Sequence, residues 1–273
     1  MRWSETGRWN GKVTSRPLPE CDPSIDALSD DDRATLVSVW HARAATERRV
    51  ADSFTLVSHA LRELNAAADL IALSDRAIDD EHRHAELSRY VASRYAGKEL
   101  DYPPLLPFSA PKHTQASDEL RHTLHVLGQC AFNETIASAF LEACCEHANA
   151  PLAKAACREL LSDEIDHARI GWAQLAASPP VVRNQIVAWL PSLANANLRM
   201  WRESPRKYPS RELFAGHGAP SEPVIAGALA TAFRELIIPG FEHLGMPTGA
   251  LHTWMDAECV AKSPVKITEH RLQ

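Results

Sequence analysis

Two short segments of the chain combine carboxylates with an imidazole at one fixed spacing. Asp80–His84 reads DEHRH and Asp163–His167 reads DEIDH, so both fit the pattern D-E-x-x-H. Residues three positions apart lie on the same face of a helix, and each Glu and His can therefore reach one metal ion together. Carboxylates mixed with imidazoles suit iron or manganese better than zinc or copper. The pattern predicts a metal site with positions left open for water or oxygen.

A third segment, Asp118–His122, also fits the pattern. At this composition, chance predicts about 0.05 matches to the pattern in a chain of this length, so three matches are informative. The third match follows Ser117 directly, where acidic residues stabilise the first turn of a helix. We therefore interpret Asp118 and Glu119 as capping residues and not as ligands.

The remaining ligands can be selected by their distance along the helix axis from the turn that connects two antiparallel helices. Residues equally distant from the connecting turn lie at one level of such a pair. The midpoint between Glu47 and Glu81 falls in a predicted break, and the midpoint between Glu134 and Glu164 falls in a predicted turn. By helical rise, both pairs lie about 25 Å from their turns. Pairing Glu119 with Glu164 would place the midpoint inside a helix, which excludes Glu119.

This reasoning gives a set of six predicted ligands, which could hold two divalent ions. The predicted set is Glu47, Glu81, His84, Glu134, Glu164 and His167. Four carboxylates buried at one level require cations between them. In the alternative interpretation the spacing is coincidental, and Glu47 forms an exposed ion pair with Arg43, four residues earlier on its helix.

Four helices must position these residues. The first begins after Ser29 and ends at a weak break near Arg62–Asn65, and the second ends near Ala96 and Gly97. The third and fourth helices, about 117–147 and 151–177, are joined at Asn149–Pro151. The proline-containing stretch 98–116 separates the two hairpins. A four-helix bundle with one long crossover has this order of short, long and short connections.

The expected fold class is therefore all-α, with three regions. Residues 1–29 are expected to form a partly disordered N-terminal arm, residues 30–178 the bundle, and residues 179–273 a C-terminal helical extension packed on the bundle. Within the extension, we predict an apolar helix over 224–238 that ends at Pro239, because proline is unfavourable inside a helix.

Composition narrows the classes of partner and compartment. The formal net charge is −6 and no basic run is present, which argues against a nucleic-acid partner. The N-terminus lacks the apolar core of a secretory signal, and the longest apolar run, 224–233, is about half a membrane span. The six cysteines have no C-x-x-C spacing and are expected to be reduced and mostly buried. We expect a cytoplasmic protein without a membrane segment.

The ligand pattern resembles the ferritin-like diiron-carboxylate superfamily over residues 30–178. The resemblance implies two iron ions, with a manganese–iron pair as the alternative, and an oxidase or oxygenase that uses O₂ on a small organic substrate. An external electron donor would be needed. In this superfamily, the aspartate before each motif glutamate commonly holds the histidine of the opposite motif. The resemblance therefore assigns Asp163 to His84 and Asp80 to His167.

Departures from the family patterns argue against close kinship with two branches, though not against their general chemistry. Ser88 stands where ribonucleotide reductase small subunits carry a radical tyrosine, and Leu160 stands where arylamine N-oxygenases carry an extra histidine. The long extension after residue 178 favours an enzyme, expected to be a homodimer. A ferroxidase or iron-storage protein without an organic substrate is the alternative, and a helical protein that binds no metal is a third hypothesis.

Small side chains one turn from the predicted ligands could leave room for a substrate. The predicted pocket residues are Trp40, Arg43, Ala44, Ala51, Phe54, Leu127, Cys130, Ala131 and Ser138. If Arg43 points inward, it could hold an acidic substrate. Ordinary packing of alanine-rich helices is the alternative explanation for the same residues.

Overall fold

The computed structural model describes residues 14, 16–203 and 210–260, and every regular element within these ranges is helical. The expected all-α class is therefore confirmed for the described residues. The helices are α1 (Pro23–Asp26), α2 (Asp30–Glu63), α3 (Ala68–Ala96), α4 (Asp118–Val126), α5 (Thr135–His147), α6 (Pro151–Ala177), α7 (Pro180–Val187), α8 (Leu190–Glu203), α9 (Glu212–Gly216), α10 (Glu222–Thr231), α11 (Ile238–His243) and α12 (Gly249–Val260).

The first two long helices, α2 and α3, form a hairpin whose limits follow from local sequence. The Ser29 hydroxyl accepts a hydrogen bond from the Asp32 backbone N–H at 3.2 Å, which caps α2. Asn65 adopts a φ of 49° in the connection, where the break was predicted. Gly97 ends α3 with a φ of 66°, a left-handed conformation that glycine adopts without strain.

The third long helix contains a feature that the sequence did not predict. Between α4 and α5, residues Leu127–Glu134 form a π-helical segment, so the predicted helix over 117–147 is continuous but locally wider. Short π-helical insertions of this kind occur frequently at functional sites. The segment ends at Glu134, one of the predicted ligands.

The four long helical stretches pack around one core. Helix α2 lies along α3, while α6 packs against α3, α5 and the π-helical segment. Large apolar side chains that are fully buried, including Leu36, Leu124 and Phe132, fill the space between them. At the crossing of α6 with the π-helical segment, Gly171 allows the two backbones to approach closely.

Part of the predicted N-terminal arm packs on the helical core. Ile25 and Leu28 are buried, and the Asp22 carboxylate accepts a hydrogen bond from the Leu152 N–H at 2.9 Å. This bond caps α6, whose own N-terminus has no side-chain cap. Residues 1–13 and 15 of the arm, for which partial disorder was predicted over residues 1–29, lie outside the described residues.

The extension after α6 is helical, as expected, but one predicted helix end is wrong. Helix α10 continues through a second π-helical segment, Ala232–Ile237, into α11, so Pro239 does not end it. The proline lies in the first turn of α11 directly after the π-helical segment, where its missing N–H is tolerated. The extension packs on the core, with α10 against α5 and α8 against the first π-helical segment.

This continuous helix, Glu222–His243, is longer than the apolar run over 224–233 suggested. Its 22 residues are long and apolar enough to cross a membrane, and 44% of its most apolar window is buried within the protein. A core helix of a soluble protein meets the same two criteria. The helix is therefore weak evidence both for and against a membrane location.

Replacing Gly171 with alanine should destabilise the protein. A Cβ atom there would lie 2.5 Å from the Ala131 backbone N and 2.9 Å from the Cys130 Cβ, so the two helices would have to separate. We expect a loss of about 2 kcal/mol in the free energy of unfolding, as is typical of an overpacked core. Urea denaturation of the metal-free protein measures it.

The matched control for this substitution is Gly227→Ala in α10. Gly227 is exposed, and a Cβ there would meet no atom within 4 Å. This change should raise the free energy of unfolding by about 0.5–1 kcal/mol through helix propensity. Equal effects of the two substitutions would contradict the close helix crossing.

Candidate metal centre

Four of the six predicted ligands form one buried cluster. Glu81, Glu134, Glu164 and His167 each place one ligand atom within 4.8 Å of the others. All four are between 0 and 3% exposed. Glu81 lies on α3, Glu134 ends the π-helical segment, and Glu164 and His167 lie on α6, so three helical stretches meet here.

The other two predicted ligands border this cluster. His84 Nδ1 lies 3.4 Å from Glu164 Oε1 and 3.5 Å from Glu81 Oε2. Glu47, on α2, lies outside the 4.8 Å group, but its carboxyl group is near enough for its pKa to be affected by Glu81 and Glu164. The alternative ion pair is not formed: Arg43 donates instead to the Gly218 carbonyl, although its charge still acts on the Glu47 carboxyl group.

Each histidine is held by the aspartate of the opposite motif, as the family resemblance implied. His84 Nε2 donates to Asp163 Oδ2 at 3.0 Å, and His167 Nε2 contacts Asp80 Oδ2 at 3.4 Å. A carboxylate partner keeps the hydrogen on Nε2 of a neutral imidazole. When a metal ion displaces the second ring proton, the lone pair on Nδ1 faces the glutamates, which is the arrangement that a metal-binding imidazole requires.

An arginine that the sequence reasoning missed links the two aspartates. Arg83 donates to Asp80 at 2.6 Å and to Asp163 at 2.9 Å. Burial would raise the pKa of Asp80, but hydrogen bonds from His167 and Arg83 lower it to about 2. The i,i+3 spacing of Arg83 and Asp80 was visible in the sequence, whereas the contact with Asp163 depends on how α3 packs against α6.

Glu134 is held by two amides that the sequence reasoning also missed. Gln129 Nε2 and Asn133 Nδ2 both donate to Glu134 Oε1, the latter at 3.3 Å. Trp201 Nε1 in turn donates to Asn133 Oδ1 at 2.9 Å, so the C-terminal extension orients a residue of the site. Gln129 precedes Glu134 by five residues. Two residues at this spacing lie on the same face of a π-helix but not of an α-helix.

The cluster crowds several buried carboxyl groups together, and some of its polar atoms have no hydrogen-bond partner. Both carboxylate oxygens of Glu81 and Nδ1 of His84 are buried without a hydrogen-bond partner. Burial and the neighbouring Glu81 and Glu164 raise the pKa of Glu47 to about 8. Burial and Glu164 likewise raise the pKa of Glu134. Buried anions of this density are stabilised by cations, and oxygen and imidazole donors fit divalent ions of the first transition row.

The third motif does not contribute to the cluster. Asp118 and Glu119 lie in the first turn of α4, and the Ser117 hydroxyl accepts a hydrogen bond from the Leu120 N–H at 3.3 Å. His122 packs its ring against His59, with the ring centroids 5.9 Å apart. The acidic residues lie in the first turn of α4 behind Ser117, as predicted, and the capping hydrogen bond itself is made by Ser117.

The predicted substrate pocket is mostly filled. Seven of its nine residues are at most 1% exposed, namely Trp40, Ala44, Ala51, Phe54, Leu127, Cys130 and Ala131. The Phe54 ring lies 5.0 Å from the His167 ring and covers one side of the centre. Arg43 packs on the Trp40 ring at 4.3 Å and donates to the Gly218 carbonyl. These residues form a dry wall, as the alternative of ordinary helix packing implies.

A cavity of about 510 Å³ that is largely open to solvent lies instead on the neighbouring face of α5 and α6, and Ser138 is the predicted pocket residue that lines it. Its walls are mainly apolar. They are formed by Thr135, Ser138, Ile165, Ala168, Arg169, Trp172, Glu235, Leu236, Pro239 and Gly240. Thr135, Ile165 and Ala168 directly follow Glu134, Glu164 and His167 in the chain, so the cavity lies on a face about 100° around the helices from the ligands.

Comparison of the chain with family models, with curated proteins and with solved structures finds no match. Functional inference therefore rests on the residues and geometry of this centre.

The affinity of the metal-free protein for a divalent ion should rise with pH. Glu47 and Glu134 have raised pKa values, and hydrogen bonds to carboxylates outweigh burial and raise the pKa values of His84 and His167. These groups hold protons that a metal ion must displace, so affinity should increase as the pH rises toward about 8, the pKa of Glu47. Calorimetric titration with Mn²⁺ in two buffers of different ionisation enthalpy should show proton release. A pH-independent affinity would contradict this expectation.

Asp80→Asn should weaken metal binding without unfolding the protein. The amide cannot act as the carboxylate partner of His167, so the imidazole loses the contact that orients it. Loss of such a partner typically lowers metal affinity by about 10- to 100-fold. The control is Asp79→Asn, because Asp79 is exposed and adjacent in sequence. Equal Mn²⁺ affinities for the two variants would argue against the assigned contact.

Proposed function

We propose that this protein is a ferritin-like dimetal oxidase or oxygenase that uses O₂ to oxidise a small organic substrate, with two iron ions as its cofactor. The observation that carries the proposal is Glu81. Its carboxylate is completely buried, neither oxygen has a hydrogen-bond partner, and imidazole nitrogens of His84 and His167 lie within 3.5 Å. Cations bound beside Glu81 would satisfy both oxygens.

The connectivity of the long helices supports a ferritin-like four-helix bundle. Short connections join α2 to α3 and α5 to α6, and the long segment 97–117 joins the two hairpins. The two D-E-x-x-H segments lie on α3 and α6, which contact each other directly. In bundles of this type, inward-facing Glu and E-x-x-H residues on facing helices build the metal site.

The contacts suggest which residues would hold each ion. Glu81 and Glu164 each lie near both imidazoles, at 3.2–3.5 Å, and would help to hold both ions. His84 and Glu47 would complete one site, while His167 and Glu134 would complete the other. With neutral imidazoles, the four carboxylates balance the charge of two divalent cations, which removes the repulsion within the cluster.

Two bound iron ions would supply the electrons that reduce O₂ and the oxidising power that acts on the substrate. The chain provides the surroundings. Asp163 and Asp80 keep Nδ1 of each histidine free for a metal, and Phe54 excludes water from one side. The sequence contains no glycine-rich nucleotide-binding motif, so we propose an external electron donor.

The cavity between α5, α6 and the helix Glu222–His243 supports an organic substrate over iron storage. Its size is within the usual range for small-molecule sites, and such sites are mostly apolar with a few polar groups. Ser138 Oγ is buried without a partner and could bind one polar group of a substrate. A storage protein would need no such apolar space. The assembly we propose is a homodimer.

Metal-dependent oxygen consumption tests the proposed function. The metal-free protein is loaded anaerobically with two equivalents of Fe²⁺ and mixed with oxygenated buffer, with and without a library of small apolar compounds. We expect O₂ uptake in which one class of compound is oxidised, while the iron stays bound. Formation of a mineral core with no oxidised compound would instead support a ferroxidase, and absence of bound iron would contradict both functions.

Filling the cavity should impair the reaction but leave metal binding intact. Leu236 is 44% exposed at the cavity wall, on the helix opposite the ligands, so Leu236→Trp should occupy part of the space. We expect kcat/KM for the organic substrate to fall about tenfold, which equals about 1.4 kcal/mol. The control Leu213→Trp changes a similarly exposed leucine, 37% exposed, that does not line the cavity. Equal activities of the two variants would place the substrate elsewhere.

A further inference from the structure

The apolar helix of the C-terminal extension, Glu222–His243, packs on the protein along one side only. Its inner side contacts α5, and 44% of its most apolar window is buried. The exposed and half-buried residues that we group as the outer face are mostly small or apolar. They are Pro223, Ala226, Gly227, Ala230, Thr231, Arg234, Glu235, Leu236 and Pro239. Contiguous apolar surface of this kind commonly marks a site of interaction.

The second π-helical segment explains why the outer face is broad at its centre. Ala232 and Phe233 are buried, and so are Ile237 and Ile238, five residues later. Residues five apart share one side of a π-helix, so both pairs stay in the core. The three residues between them, 234–236, are all exposed. The segment therefore turns a cation, an anion and a leucine outward at consecutive positions.

The outer face is continuous with the cavity beside α5 and α6. Glu235, Leu236 and Pro239 belong to both, and Ile165 of α6, which is 45% exposed, also lines the cavity. In a single chain the cavity is largely open to solvent. Sites for small molecules usually enclose most of the ligand surface. The site that the proposed function assigns to the substrate is therefore incomplete within one chain.

Two charged residues near the middle of the outer face decide between a lipid bilayer and a protein as the partner. Arg234 and Glu235 are the thirteenth and fourteenth of the 22 residues of the helix, counted from Glu222. Insertion of this face among acyl chains would remove both charges from water near the centre of the apolar stretch, which is costly. A protein surface can instead offer each charge an opposite charge.

A second copy of the same helix has the complementary pattern. In an antiparallel pair with a twofold axis between residues 234 and 235, residues equally far from the axis lie at one height. Arg234 of each copy then lies beside Glu235 of the other, which makes two oppositely charged pairs. The same register places the small Ala230 of one copy opposite Pro239 of the other, at the cavity wall.

We propose that a second copy of this chain docks on the outer face, antiparallel about residues 234 and 235, and closes the cavity of each subunit. The contact is isologous, so both copies use the same nine residues and one interface covers both cavities. In giving the interface a part in the substrate site, the inference rests on the proposed function. The docking itself requires neither metal nor substrate.

Sedimentation of the full-length metal-free protein tests the docking. The wild-type chain of 30.1 kDa should sediment as a dimer at micromolar concentration. Glu235→Arg should raise the dissociation constant of the dimer at least about 100-fold, because two arginines then face each other at both pairs. Reversing both charges together, with Arg234→Glu and Glu235→Arg, should restore the dimer. The control Glu63→Arg makes the same change at an exposed residue of α2 and should leave the dimer intact.

Four outcomes would overturn the docking, once circular dichroism has established that each variant is folded. The first is a wild-type chain that is monomeric at every soluble concentration. A dimer that Glu235→Arg does not weaken would place the interface elsewhere. A double variant that stays monomeric would exclude the antiparallel register. Binding of wild-type monomers to vesicles of phosphatidylcholine and phosphatidylglycerol would identify a lipid surface as the partner.

Thiol labelling at the cavity tests its closure separately. Ile165→Cys introduces a thiol at the cavity wall, and peptide mapping follows its reaction with a bulky maleimide. We expect labelling at least about tenfold slower in the dimer than in the same variant carrying Glu235→Arg, because only the open form reacts. Exposed Cys21 is the internal reference. Equal rates would show that the cavity stays open and would overturn closure. Neither assay involves iron, O₂ or substrate, so a failure of the proposed function would leave both results unchanged.

Discussion

Mutual repulsion of buried carboxylates is the constraint on which the centre of this molecule depends. Glu81, Glu134 and Glu164 converge to within 4.8 Å in the core, and Glu47 adds a fourth acid beside them. Carboxylates in such a place would protonate or move apart unless positive charge lay between them. The raised pKa values of Glu47 and Glu134 show the first of these responses in the metal-free chain. A pair of divalent ions would remove the need for protonation.

The surroundings of the centre hold these groups in position. Arg83 ties the two aspartates together, and each aspartate holds the imidazole of the opposite helix. On the other side, Trp201 orients Asn133, which donates to Glu134. The extension therefore supports the site directly as well as forming one wall of the cavity. Rigid support of this kind keeps ligands in place before a metal binds.

The sequence predicted the level at which the ligands meet, because helical rise and turn positions fix relative heights in antiparallel pairs. It therefore selected Glu134 and rejected Glu119. It could not predict the π-helical segment, since a change from i−4 to i−5 hydrogen bonds leaves the hydrophobic pattern almost unaltered. That change brings Gln129 onto Glu134. The sequence also could not show how tightly the small residues around Ala44 pack. In the structure the predicted pocket is filled, and the cavity lies on the adjoining face.

Identification of the ions in metal-replete crystals tests the central claim most directly. Anomalous difference maps would be recorded on both sides of the iron and manganese absorption edges. The account predicts two peaks between α2, α3, α5 and α6, with Glu81 and Glu164 contacting both ions and His84 and His167 contacting one ion each through Nδ1. A fully occupied zinc ion bound by other residues, or a centre that stays free of metal with its glutamates protonated, would contradict it.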